Sequence, residues 1–171
     1  MKIQSMEDLL LEQVEDLYDA EKRLVKALPK MAEASTSQSL RQAFQSHLME
    51  TEGHVSRLET IFRTLGQKPK GQTCDAMKGL ISEGEDMISD TESSSAVRDA
   101  GIIAAANRVE HYEIAAYGSA RTFAQTLGLA EAAKLLDQTL QEEKAADQKL
   151  TQLAESMIND EALRRSPVSQ R

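Results

Sequence analysis

Apolar residues recur along this chain at alternating intervals of three and four, the spacing of one face of an α-helix. Leu10, Val14, Leu17, Leu24 and Leu28 mark the first such face. Ser5, followed by Glu7 and Asp8, is a start signal for that helix. Pro29 predicts a kink or break in its last turns. The turn "STSQS" leads to a second helix from about Leu40 to Leu65, stopped by Gly66. After the loop "GQKPKGQTCD" comes a short helix, "AMKGLISEGEDMIS", weakened by Gly79 and Gly84 and broken at "DTESSS". A third long helix is expected over Ala96 to Leu127, a tight turn at Gly128, and a fourth from about Ala130 to Asn159. Residues 161–171 read as a polar C-terminal tail.

Connection lengths order these elements. Short turns join the first two long helices and the last two, so each pair is expected to form an antiparallel hairpin. About 30 residues separate the pairs, enough to travel back along a bundle helix of about 42 Å. The expected fold is all-α: a ferritin-like four-helix bundle over residues 1–160, two hairpins joined by a long crossover that contains a short extra helix.

Composition agrees. Of 171 residues, 40% are hydrophobic and only 4% aromatic, with 8 Gly and 3 Pro, which favours helices and leaves little for strands. A net charge of −8 argues against nucleic acid or an anionic membrane as partner. One cysteine, Cys74, excludes an internal disulfide and a cysteine-rich metal site. The N-terminal apolar stretch is interrupted by acids, unlike a signal peptide, and no apolar run is long enough to span a membrane. A cytoplasmic location is expected.

The apolar faces are interrupted at one level. Glu21 interrupts the first seam, Glu110 and Glu113 the third, and Glu143 and Asp147 the fourth. The second helix contributes "HLMETEGH", with His47, Glu50 and His54 spaced i, i+3, i+7. Glu21 lies 15 residues before Thr36 and Glu50 14 after it; Glu113 and Glu143 each lie 15 residues from Gly128. The acids of each hairpin therefore meet at one depth. An uncompensated buried ion costs several kcal/mol, against a domain stability of about 5–15 kcal/mol. No Lys or Arg stands on the seams at that level, so cations are the expected compensation. Two divalent ions would supply four positive charges. His47 shares the face but lies two turns from His54, and reads as a support for the ligands or a packing residue. Tyr117, one turn after Glu113, reads as packing within reach of a ligand, and His111 points off the seam.

The segments "EDLYDAEKRLVKALPKMAEA", "HLMETEGHVSRLE", "AANRVEHYEIAAYGSARTFA" and "LLDQTLQEEKAADQKLTQLA" resemble the YciE/YciF-type ferritin-like family of bacterial stress-associated proteins. The resemblance runs from about Ile3 to Ile158. It implies a dinuclear metal site, usually assigned to iron, in a homodimer. The pattern it carries asks for one Glu from helix one, Glu-x-x-His from helix two, one Glu from helix three and Glu-x-x-His from helix four. Glu21, Glu50 with His54, Glu110, and Glu143 match it; both pairs here have i, i+4 spacing, and Asp147 replaces the second histidine. Glu113 is an extra carboxylate. A set so rich in carboxylates favours iron or manganese over copper or zinc.

Two functions follow from that resemblance. One is a di-iron carboxylate protein of the bacterial stress response that reacts with peroxide or dioxygen, Glu50 and Glu143 bridging, Glu21 and Glu110 terminal, and Glu113 moving on and off. Without a rubredoxin-like cysteine cluster, its electrons would come from an external donor. The other is a non-catalytic stress or interaction protein whose metal only holds the bundle. Iron storage in a cage lacks a fifth C-terminal helix or a mineral-nucleating acidic run to support it.

Overall fold

The structure, a computed structural model, describes residues 2–164. Those residues form a helical bundle: α1 (Met6–Ala34), α2 (Gln38–Thr64), α3 (Asp75–Asp90), α4 (Ala96–Thr126), α5 (Ala130–Leu153), a π-helical turn (Ala154–Ile158) and α6 (Asn159–Arg164). No strand occurs among the described residues, and no helix among them is long and apolar enough to cross a membrane.

Side chains that satisfy the first free N–H groups open the helices. Ser5 and Asp8 form a reciprocal capping box on α1; Ser37, Cys74 and Ser95 accept from backbone N–H groups at the starts of α2, α3 and α4. Gly66 and Gly128 close α2 and α4 at φ 67° and 71°, a left-handed conformation that costs glycine little. The following N–H groups reach back to Phe62 O and Ala124 O, completing the C-terminal hydrogen bonding. α1 runs through Pro29 unbroken. Proline removes one helix hydrogen bond, and buried Leu28 and Ala32 on either side keep the segment packed. The expected fourth helix passes through the π-helical turn and continues as α6. The rest of the expected tail, 165–171, lies outside the described residues.

Each long helix packs on two others: α1 on α2 and α4, α5 on α2 and α4. The pairs Ala32–Arg41, Glu21–His54 and Tyr18–Glu59 run in opposite directions along α1 and α2. Asp99 of α4 secures their three-residue connection by accepting from Thr36 N and Ser37 N, both at 2.7 Å. α3 lies outside, against α4 and α1. It is pinned where Asp19 accepts from Cys74 N at 2.8 Å and where Gly101 leaves room for Met87.

The core divides in two. One apolar cluster gathers Leu24, Leu28, Leu40, Phe44, Ile103 and Leu150; the other gathers Leu10, Leu17, Leu58, Phe62, Leu136 and Leu140. Between Leu17 and Leu24, between Phe44 and Leu58, and between Leu140 and Leu150, the seams turn polar. That layer is the candidate site.

Candidate metal centre

Six titratable side chains form the layer: Glu21 from α1, His47 and His54 from α2, Glu110 and Glu113 from α4, and Glu143 from α5, all buried. Glu21, His54, Glu113 and Glu143 expose nothing. Their donor atoms fall into two sets, His47 with Glu110, Glu113 and Glu143, and Glu21 with His54 and Glu143, with the atoms of each set within 4.8 Å of one another. Glu143 belongs to both. Its Oε1 lies 2.9 Å from His54 Nδ1 and its Oε2 3.5 Å from His47 Nε2, so one oxygen faces each set.

Few of these atoms are hydrogen-bonded. Glu21 Oε2, Glu110 Oε2, both oxygens of Glu113 and of Glu143, His47 Nε2 and His54 Nδ1 have no hydrogen-bond partner. His54 Nδ1 approaches Glu21 and Glu143 without bond-making alignment. Buried polar atoms in native proteins are nearly always paired, and each unpaired charged one costs upwards of about 1–3 kcal/mol. Eight such atoms converge on one layer, and the two donor sets could each hold a metal ion. Hard carboxylate oxygens with two imidazoles suit a first-row divalent metal. Four carboxylates and two neutral imidazoles balance two divalent ions without remainder.

In the metal-free protein the layer holds protons instead. Burial pushes Glu110 and Glu113 well above the usual carboxylate range, and Glu143 and Glu21 nearby add to the effect on both. Burial also raises Glu21. Burial opposes charge on the imidazoles but is outweighed. Contacts with Glu143 and Glu21 lift His54 to about 11, and Glu50, Glu110 and Glu143 lift His47 to about 9.

Of the residues expected as ligands, Glu21, His54, Glu110, Glu113 and Glu143 come together. Glu50 and Asp147 do not enter either donor set. On α2 the buried face runs Leu40, Phe44, His47, Thr51, His54, Leu58, Ile61. Thr51, not Glu50, lies between the histidines; Glu50 is turned about 100° away at 3.6 residues per turn. Its side chain is 48% exposed and accepts from His47 Nδ1 at 3.1 Å. Asp147 lies 3.3 Å from exposed His111 at the edge of the bundle. His47, expected as a support or packing residue, faces Glu110 and Glu143 with Nε2. Tyr117 donates its hydroxyl to Glu21.

Two residues that back His54 carried no seam signal. Glu142 Oε2 lies 2.9 Å from His54 Nε2, and Arg57 grips Glu142 through Nη1 and Nη2 at 2.5 and 2.9 Å. Both are half-buried flank positions. Their spacing from the ligands, Glu142 beside Glu143 and Arg57 three after His54, is the one clue the sequence offers.

The family described as a domain of unknown function, DUF892, matches residues 5–163. Protein YciF of Escherichia coli K12 is 47% identical over 163 residues, covering 95% of this chain and 98% of that protein. The crystal structure of that stress protein superposes with a TM-score of 0.87, covering 92% of this chain and 99% of its own. YcfI of Rhodopseudomonas palustris, for which a structural role has been suggested, is 46% identical with a TM-score of 0.85, covering 88% and 95%. A Xanthomonas campestris protein at 18% identity and TM-score 0.72, covering 91% of this chain and 94% of its own, shares the fold.

Proposed function

The chain belongs to the DUF892 family, and we propose that it is a dinuclear metal-carboxylate protein of the stress response, built on a ferritin-like bundle of two hairpins with a long crossover. The observation that carries this reading is Glu143, buried and unpartnered, with one oxygen toward each of two donor sets. Glu21, His54 and Glu143 would hold one ion; His47, Glu110, Glu113 and Glu143 the other. Iron is the first candidate and manganese the second. When bound, iron supplies electrons to an oxidant such as peroxide or dioxygen.

The chain's own residues prepare that chemistry. Apolar clusters above and below exclude water from the layer. Low dielectric strengthens every charge interaction within it. Tyr117 orients Glu21, and Glu142 with Arg57 orients His54. Glu113, with both oxygens unpartnered, is free to shift its carboxylate as local charge changes. Reducing equivalents come from an external donor, since Cys74 is the one cysteine.

A second reading takes the metal as a structural clamp between the two apolar clusters, in keeping with the structural role suggested for the Rhodopseudomonas relative. Oxygen and peroxide consumption by the anaerobically Fe(II)-loaded protein separates the two. Fe(II) oxidation faster than that of free iron in the same buffer supports the redox reading. Oxidation no faster than free iron, with metal still raising the melting temperature, supports the clamp.

A further inference from the structure

A cavity of about 420 Å³ lies between α2 and α5. Phe44, Ala146, Leu150 and Leu153 form its apolar wall, and His47, Glu50 and Glu110 share its polar part with Lys149 and the neutral Ser39, Gln42 and Ser46. His47 and Glu110 belong to the candidate metal centre; Glu50 is the half-exposed glutamate that stays out of it.

His47 separates the two spaces. Its Nδ1 donates to Glu50 across 3.1 Å, on the solvent side. Its Nε2 lies 3.5 Å from Glu110 and from Glu143, buried and without a hydrogen-bond partner. The ring therefore presents one nitrogen to the cavity carboxylate and the other to the buried ones. The remaining members of the centre, Glu21, His54, Glu113 and Glu143, have no exposed surface.

Resting on the metal-centre reading above, we infer that the α2–α5 cavity is the port through which divalent cations reach the centre, with Glu50 as the capturing carboxylate and His47 as the relay between cavity and centre. Size permits it. A cation with six waters needs roughly 180 Å³ at about 30 Å³ per water, well within the cavity. Energetics calls for it. Stripping an ion of water in one step is expensive, so an oxygen ligand at the threshold, followed by imidazole and then Glu110, replaces the hydration shell in stages. Charge favours it too: the net charge is −8, and the carboxylates Glu50 and Glu110 at the two ends of the path outnumber Lys149, the one Lys or Arg of the lining. It also explains why a carboxylate side chain stands beside His47 although Thr51 takes the seam.

The test is the loading rate of the metal-free full chain with Co(II), followed by stopped-flow absorbance, with ions per chain counted at the end. Glu50→Gln keeps the side chain's shape and removes its charge. Glu52→Gln removes the same charge from an exposed position on the same helix that does not line the cavity. The port predicts that Glu50→Gln slows loading roughly tenfold, the lower end of electrostatic effects on association rates. Final stoichiometry and the Co(II) spectrum stay as in the wild type, and Glu52→Gln loads at the wild-type rate. Equal rates for the two variants overturn the port. A lower stoichiometry or altered spectrum in Glu50→Gln overturns it differently, by making Glu50 a ligand. A wild-type chain that takes up no Co(II) overturns the metal centre itself and the port with it.

Discussion

His54 Nε2 stands 2.9 Å from Glu142 Oε2, so the ring's other nitrogen, Nδ1, is the one aimed at Glu21 and Glu143. Arg57 holds Glu142 with two nitrogens, and together with His54 it keeps that carboxyl below its usual range against the opposing effect of burial. Partners behind a metal-binding imidazole fix its tautomer and raise its basicity. Glu142→Gln should therefore weaken metal binding about 10–100-fold while leaving helix content unchanged. Competition against a chelator of known affinity reads the change. Unaltered affinity would show that the contact only packs the two helices.

The pH dependence of the metal-free protein follows from the same layer. His47 and His54 have folded values near 9 and 11, above the ordinary 6.5, so their contribution is complete below 6.5 and is lost as pH rises through the folded values. Glu21, Glu110 and Glu113 are raised as well, and the stability lost through them begins above the ordinary carboxylate value of 4.5. Glu142 and Asp19 are lowered, and their contribution disappears in acid. Thermal melts of the metal-free chain should thus show a maximum in mildly acidic buffer and a decline toward pH 9. Saturating metal needs deprotonated ligands, so the gap between loaded and metal-free melting temperatures should widen with pH. A gap that narrows with pH would contradict this account.

Tyr117 donates to Glu21 inside the buried layer. Tyr117→Phe should destabilise the metal-free protein by about 1–3 kcal/mol, the usual consequence of leaving a buried acceptor unpaired. Metal on Glu21 supplies another partner, so the loss should be smaller in the loaded protein. Denaturant unfolding of both forms measures it; equal losses would mean that Glu21 does not bind the metal.

Asp99 provides a contrast far from the layer. Asp99→Ala removes both 2.7 Å bonds that secure the α1–α2 connection, and should cost about 1–3 kcal/mol. The loss should be the same with and without metal. A metal-dependent loss would indicate that the α1–α2 alignment itself is coupled to the centre.

The long helices were legible because their apolar spacing and their caps agree: Ser5 and Gly128 each carry a backbone requirement that few other residues meet. The carboxylates at Glu21, Glu110, Glu113 and Glu143 were legible for the same reason, since each breaks an apolar seam. The second helix shows where seam reading runs out. Leu40, Phe44, His47, Thr51, His54 and Leu58 alternate by four and three, and that strict series marks Thr51 as inward; the acidity of Glu50 one position earlier outweighs it when chemistry is read ahead of spacing. Glu142 and Arg57 lie off any seam, and their pairing depends on how α2 and α5 face one another, which local periodicity does not encode. The π-helical turn at Ala154–Ile158 has no sequence mark that we recognise.

The central claim is a pair of metal ions sharing Glu143. Anaerobic titration of the metal-free chain with Fe(II), followed by metal analysis, tests it most directly when wild type and Glu143→Gln are compared. The account predicts two ions per chain for the wild type, one for each donor set, and loss of binding in both sets for the variant. A wild-type chain that retains no iron, or a variant that retains as much as the wild type, would contradict it.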